Sequence, residues 1–222
     1  MMMKKVVILG GKGTAVVIAE QIYEGARKYG IEIEVLGFAF DDPEYSKGIN
    51  GWPVLCGTKE AYEIFKDDKD VWFVFAMYRS DKIKERANLC ESYGIPPERW
   101  LTFIHPEATV CRSASLGYGT IVLAQSVINS NVKIGNHNII LSGSIIEHDT
   151  EIGNHNFMAA HSCIGSGIKI GNYNFLGLNA TYRTFVEIGN NNIIGMSSVV
   201  LHSIGNDLVL AGNPARILRR NA

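Results

Sequence analysis

Several things are missing from this sequence, and each absence excludes a class of protein. It has no run of eighteen apolar residues, so no segment is long enough to cross a membrane as a helix. It has almost no net charge: 21 Lys and Arg against 22 Asp and Glu leave −1. That is too little field to hold nucleic acid or a charged membrane surface. Its four cysteines, Cys56, Cys90, Cys111 and Cys163, include no CxxC pair. Neither a zinc motif nor a disulfide framework is expected, and a reducing cytoplasm is the expected location. From Met1 to Gly11 the apolar stretch between lysines and glycines is too short for a secretory leader.

What is present is a repeat of six. Stepping by six from Ile104 gives Val110, Leu116, Val122, Ile128, Ile134, Ile140, Ile146, Ile152, Met158, Ile164, Ile170, Leu176, Tyr182, Ile188, Ile194 and Val200, with Tyr182 the one exception to an aliphatic row. Four residues after each sits mostly a small or polar residue, such as Ala108, Thr120, Ser126, Ser144, Thr150, Ser162 and Ser198. Period six fits neither a helix nor a plain strand. It predicts a parallel β-helix in which each hexad is one short strand and one corner. A longer period lies on top: Ile-Gly-Asn-x-Asn recurs at 134–138, 152–156, 170–174 and 188–192. Three hexads make one coil, so residues eighteen apart stack about 4.8 Å apart. Gly117, Gly135, Gly153, Gly171 and Gly189 are then expected at positive φ, followed by Asn136, Asn154, Asn172 and Asn190, the residue type that best tolerates that region. Asn138, Asn156, Asn174 and Asn192 are expected inside as an amide ladder.

Residues 1–103 read differently. A buried-type strand at 4–9 runs into Gly10-Gly11-Lys12-Gly13, and a helix follows from Thr14 to about Lys28. Further strands are expected at 31–40 and 71–77. Further helices are expected from Thr58, which caps the first of them, to Phe65 and from Asp81 to Tyr93. Such alternation predicts a small parallel α/β sheet with its ligand at the carboxyl ends of the strands. Gly11, Lys12, Gly13 and Thr14 form a candidate phosphate loop at a helix N-terminus, with Asp41 or Asp42 where a ribose hydroxyl would be held. The alternative is a tight turn and nothing more. The third glycine of G-x-G-x-x-G is absent, since Val16 stands there, so a mononucleotide-sized ligand fits better than a dinucleotide.

A Gly-rich α/β domain, then His105-Pro106-x-Ala108, then hexapeptide coils closed by Ala211-Gly212-Asn213-Pro214-Ala215-Arg216, resembles the NeuD/PglD family of sugar acyltransferases over essentially the whole chain. The resemblance implies a Rossmann-like domain at 1–103 that binds a sugar nucleotide. It also implies a left-handed β-helix acyltransferase domain at 104–222, acetyl-CoA as co-substrate and a homotrimer with sites between subunits. The family's catalytic triplet reads Glu147-His148-Asp149, with His148 as base and an acid such as Asp149 fixing its tautomer. For CoA the resemblance points to Phe157, at the place of a family histidine, with His161 as a substitute from the next turn. It further points to Ser166 above His148, the Gly177 and Gly195 column, Pro214 and Arg216. Arg216, Arg219 and Arg220 read equally as phosphate contacts or as a short solvated helix. Thr14 replaces the usual loop histidine, and Met77-Tyr78-Arg79-Ser80 replaces the usual third-strand motif. Tyr78 then either stacks on a base or fills the nucleotide site, and Arg79 would meet phosphate.

His137 and His155 stack in one column but lack further ligands, so no metal is expected. His202 lies three coils above His148, about 14 Å away, too far to share its chemistry. The outward column Ile121, Ile139, Phe157, Phe175 and Ile193 is expected to be buried against another subunit, or under acetyl-CoA at Phe157. The function expected is N-acetylation of a nucleotide-linked amino-deoxy sugar, with no nucleic acid or membrane partner. The alternative is O-acetylation of a sialic-acid-like sugar, or transfer of a longer acyl group.

Overall fold

The computed structural model describes residues 3–221; Met1 and Met2, on which part of the leader reading rests, and Ala222 lie outside the described residues. The chain divides into two compact units, one of residues 1–78 and 88–101 and the other of residues 79–87 and 102–222.

In the first unit the elements are β1 (Lys4–Leu9), α1 (Thr14–Tyr29), β2 (Ile33–Ala39), β3 (Val54–Cys56), α2 (Ala61–Phe65), β4 (Val71–Phe75) and α3 (Ile83–Ser92), whose first half belongs to the other unit. The sheet is wholly parallel in the order β3-β2-β1-β4. Its central strand is apolar throughout Val6–Leu9 because both faces are covered, and all four of these residues are fully buried. β3 went unread because it is three residues long and follows Pro53. Thr58 does not cap α2. That helix starts after Glu60, and the Thr58 hydroxyl donates instead to Asp41 Oδ2 at 2.6 Å. Arg99, nearly buried, donates to the carbonyls of Val71, Lys66, Phe65 and Asp68 at 2.8–3.0 Å. It ties the turn before β4 to the start of that strand through their backbone carbonyls.

The second unit is a left-handed parallel β-helix of two-residue strands. Face one carries Ser115–Leu116, Lys133–Ile134, Glu151–Ile152, Lys169–Ile170 and Glu187–Ile188. Face two runs from Phe103–Ile104 through Ile121–Val122, Ile139–Ile140, Phe157–Met158, Phe175–Leu176 and Ile193–Ile194. Face three runs from Thr109–Val110 through Val127–Ile128, Ile145–Ile146, Cys163–Ile164 and Thr181–Tyr182 to Val199–Val200. From Ile121–Val122 to Val199–Val200 the second residue of each strand is buried in the core, with Val122, Ile140, Ile146, Met158, Ile164 and Leu176 fully buried. Each such side chain stabilises by about 1.5–3 kcal/mol. Tyr182 occupies its place in this row at 2 % exposure, and its hydroxyl has no hydrogen-bond partner.

The small polar residues four places on are also inside, and each is satisfied by the next coil: Thr120 Oγ1 donates to Gly135 O at 2.8 Å and Thr150 Oγ1 to Gly165 O at 3.1 Å. The inner asparagines form the expected ladder. Nδ2 of Asn156, Asn174 and Asn192 each donates to Oδ1 of the Asn one coil below at 3.0–3.1 Å, and all three are fully buried.

Three expectations are corrected. The glycine column is not at positive φ. That conformation falls two residues later, on His137, His155, Tyr173 and Asn191, while Gly135, Gly153, Gly171 and Gly189 are absent from it. The glycines answer a different need: a Cβ on Gly135 would lie 2.4 Å from Asn154 Oδ1 and 2.7 Å from Gly153 O of the next coil. Asn136 and its stacked partners accept backbone N–H bonds across coils instead of adopting the left-handed region, as in Asn136 N to Asn154 Oδ1 at 2.7 Å. Next, the column on face two is not an open patch. Ile121 and Ile139 are 0 % exposed and Phe157 is 7 % exposed in the single chain, so they are not free for a second subunit. The Phe157 and Phe175 rings stack at 5.5 Å. Finally, the basic tail is a strand, Arg216–Arg220, antiparallel to Leu208–Ala211 and not a helix. Strand pairing is favoured there because Leu208–Ala211 already extends face two and offers its free edge.

Candidate active site

From Gly119 to Ser197 each corner of the β-helix places one residue in the left-handed region, and most of these donate their N–H to the coil below. At the corner between faces three and one these residues are Asn131, Asp149, Gly167 and Phe185, with φ of 60°, 58°, 64° and 61°. Asp149 N donates to Ser130 O, Gly167 N to His148 O and Phe185 N to Ser166 O, each at 3.0 Å. The backbone of this column is therefore held by the solenoid, and side chains are free to differ along it.

At Asp149 the turn sets the carboxylate beside its neighbour. His148 Nδ1 lies 2.7 Å from Asp149 Oδ2, with the two side chains 53 % and 57 % exposed. Nδ1 is engaged by the carboxylate, and Nε2 is the ring nitrogen left for other partners. Asn131 Nδ2, one coil below, holds the other carboxylate oxygen at 2.9 Å. The bonds from His148 and then Asn131 hold the Asp149 carboxyl below the usual carboxylate range. Asn131 was not singled out from sequence. Its signal is its position eighteen residues before Asp149, in a column that the repeat defines. Glu147 precedes the pair on the same corner, partly buried, its N–H bonded to Ile164 O at 2.9 Å.

Ser166 stands one coil above His148 on this corner. Pro214 and Arg216 lie together elsewhere, lining a cavity of about 320 Å³ with His202, Leu210 and Ile217. The other residues expected near CoA are not on the His148 corner. His161 is on the opposite edge of face three, exposed, its ring lying over Gly143. Phe157 is on face two. Gly177 lacks room for a side chain because Gly195 backbone of the next coil fills the space at 2.6 Å, and at Gly195 a Cβ would meet Ala211 Cβ at 2.9 Å. These glycines serve coil stacking.

In the first unit Gly11 is required by packing, since a Cβ would meet the Phe40 ring at 2.4 Å, whereas Gly13, at φ 53°, has open space. Gly13 precedes Thr14 at the start of α1, where no side chain caps the helix. Lys12 pairs with Asp42 at 2.8 Å and lies 4.6 Å over the Tyr45 ring. The Asp41 carboxylate is engaged by Thr58, whose backbone N–H and hydroxyl both donate to it. Tyr78 is packed edge-on against Phe75 at 5.3 Å, and burial pushes its hydroxyl well above the ordinary tyrosine range. Arg79 falls in the second unit, its guanidinium bonded twice to Asp81.

His137 and His155 stack at 4.9 Å, continued by Tyr173. Among the described residues no group of three His, Cys, Asp or Glu is arranged to hold a metal ion. No helix among them is long and apolar enough to cross a membrane.

A family model for the bacterial transferase hexapeptide (six repeats) matches residues 131–166, the stretch that contains Glu147, His148 and Asp149. No curated protein matches the chain. Among solved structures, a mutant of perosamine N-acetyltransferase from Caulobacter crescentus, in complex with CoA and GDP-perosamine, is similar over 96 % of both chains at 27 % identity and a TM-score of 0.82. The acetyltransferase domain of PglB from Neisseria gonorrhoeae, in complex with acetyl coenzyme A, shares the fold over 97 % of this chain and 99 % of its own, at 23 % identity and a TM-score of 0.83. WeeI from Acinetobacter baumannii shares it at 22 % identity and a TM-score of 0.79, over 97 % of this chain and all of its own.

Proposed function

We propose that this chain, a hexapeptide-repeat enzyme of the sugar acyltransferase kind that uses acetyl-CoA, N-acetylates a nucleotide-linked amino-deoxy sugar. The observation that carries the reading is the outward His148–Asp149 pair, 2.7 Å apart, inside the matched repeats. The similarity to perosamine N-acetyltransferase along almost the whole chain supports the substrate class. Asp149 holds the Nδ1 proton of His148, so Nε2 accepts a proton from the sugar amine as its nitrogen attacks the thioester carbonyl. The C–N bond forms, the tetrahedral intermediate collapses, the C–S bond breaks and the proton held on His148 goes to the CoA sulfur. Glu147 adds negative charge beside the imidazolium formed in that step. The first unit offers Lys12, Gly13, Thr14 and Asp42 to the nucleotide.

The working form is a homotrimer. Face one carries Lys133, Glu151, Lys169 and Glu187 in alternation, all exposed, with Lys133 and Glu151 paired at 2.9 Å, which suits water. Face three, next to His148, leaves Val127, Ile145, Cys163 and Val199 half-buried in the single chain. A second copy seated there would cover them and wall the site. O-acetylation of a sialic-acid-like sugar is the second reading, since the same base activates a hydroxyl. CoA-thiol release against UDP-, dTDP- and GDP-linked amino sugars and free sialic acid tests both. Turnover of a nucleotide amino sugar is expected; turnover of the free acid alone would overturn the first reading.

A further inference from the structure

The coils of the β-helix are almost without positive charge. From 105 to 200 the sequence holds four basic residues: Lys133 and Lys169, which lie in the Lys-Glu row of face one, and Arg112 and Arg183. Both arginines fall on one of the three corners, the one that carries His148. Arg112 precedes His148 by thirty-six residues, so it lies two coils below in the same column. Arg183 follows Glu147 by thirty-six, two coils above. Thr109–Val110 pairs in register with Val127–Ile128, and that strand with Ile145–Ile146, which carries the column down to Arg112 without a shift. Both arginine side chains are exposed, and among the described residues neither forms an ion pair or a side-chain hydrogen bond. Lys133, by contrast, is paired with Glu151. One unpaired surface arginine is ordinary; the confinement of both to this corner is not.

The chemistry of the corner gives that charge a task. Glu147 and Asp149 put two carboxylates beside the base, and they repel an acceptor that carries an anion. A guanidinium offsets the repulsion and binds an oxyanion through two parallel N–H bonds. Two coils are about 9.6 Å. A pyranose ring laid along the column with its amine at His148 turns the substituent of its anomeric carbon toward Arg112, and the long arginine side chain covers the remaining gap. Ser130, the residue between them in the column, is small and exposed. The phosphates of an acyl-CoA sit at the far end of the pantetheine arm and fall outside this span.

We propose that Arg112 binds the oxyanion on the anomeric carbon of the acceptor sugar and so selects acceptors that carry one. A nucleotide-linked sugar has a phosphate there, and a sialic-acid-like sugar has a carboxylate. Arg183 is the control, since the carboxylate of Glu147 already stands in its own column. The inference rests on the sugar acetyltransferase reading. It goes beyond that reading by adding an anion contact in the β-helix to the residues that the first unit offers the nucleotide.

The test uses the full chain with Arg112→Ala, Arg112→Lys and Arg183→Ala. Rates with acetyl-CoA are measured on GDP-, UDP- and dTDP-linked amino-deoxy sugars, on the matching anomeric sugar phosphate and free amino sugar, and on sialic acid and its amide. Calorimetry adds Kd for the sugar phosphate. For Arg112→Ala the acceptor KM and that Kd are expected to rise about ten- to a hundredfold, the loss of a charge-assisted pair. The melting temperature and the KM for acetyl-CoA stay, and the free amino sugar shows no change. Arg112→Lys recovers part of the loss, and Arg183→Ala leaves the acceptor KM where it was. A loss on the sugar phosphate identifies phosphate as the oxyanion; a loss on sialic acid that is absent on its amide identifies the carboxylate. An unchanged acceptor KM overturns the proposal. So does an equal rise with the free amino sugar, a rise confined to acetyl-CoA, or the same effect from Arg183→Ala. A wild-type chain that acetylates none of these acceptors would instead sink the acetyltransferase reading, and the proposal with it.

Discussion

Two corners of the same β-helix use one backbone in opposite ways. Between faces one and two, the column of Asn138, Asn156, Asn174 and Asn192 is fully buried and bonded coil to coil, and His137 and His155 beside it are 5 % and 4 % exposed. Between faces three and one, His148 and Asp149 are more than half exposed and bonded chiefly to each other. Both corners place a non-glycine residue at φ near 55° and both tie it to the coil below. Histidine identity therefore carries little information on its own. Burial keeps one pair of rings neutral and inert, while a carboxylate and solvent access equip the other for proton transfer.

The sharpest break of this contrast is His148→Ala. Turnover should fall about 10²–10⁴-fold, with the melting temperature unchanged because the side chain supports no packing. A protein that keeps most of its turnover would remove the base. The mirror experiment is Asn156→Leu on the other corner. It removes one partner each from Asn138 Oδ1 and Asn174 Nδ2 and takes the bonds from the Asn174 N–H and the Gly171 carbonyl, so urea titration should show a loss of about 3–5 kcal/mol.

The two corners should also separate by pH. Burial pushes His137 down to about 3 and His155 to about 4 from the ordinary 6.5. Because folding lowers these values, the unfolded chain takes up the protons first. Stability is then complete above about pH 6.5 and falls as the pH drops toward 4, by up to about 1.4 kcal/mol per pH unit for each ring. Melting curves at pH 7, 5.5 and 4.5 should show a shallower fall for the His137→Phe/His155→Phe variant than for the wild type. Equal slopes would mean that the rings are not held neutral. The smallest effect belongs to Asn131→Ala, which frees one oxygen of Asp149. A loss of about fivefold in kcat with unchanged KM values is expected, the size of one charge-assisted hydrogen bond at an exposed site.

The hexad made the solenoid and the inner asparagine ladder legible, because each follows from a fixed period; Glu147-His148-Asp149 was singled out by resemblance and not by the period. What escaped depended on which physical need a residue type served. Glycine suggested positive φ, yet in this column it answers the close approach of the next coil, and the left-handed conformation went to His137, His155, Tyr173 and Asn191. Burial of Ile121 and Ile139 required knowing what else the chain packs on that face, which no period encodes. The Tyr78 ring was read with two outcomes, and its edge-on contact with Phe75 leaves both open. Asn131 escaped because a lone asparagine in a column has no motif of its own.

The final coil carries one more consequence. It is two residues short: Ile204 bridges to Ile188 and Asn206 receives the bond from Asn190, each sixteen residues on. The chain then covers every face in turn. Ile204 closes face one, Arg216–Arg220 runs antiparallel along face two, and Gly212 and Ala215 exchange backbone bonds with Val199 on face three at 3.0 and 2.8 Å. A stack of identical parallel rungs is a template for endless growth, as in a fibril. The segment of Gly212, Asn213, Pro214 and Ala215 is thus also the stopper that keeps this protein a molecule and not a filament.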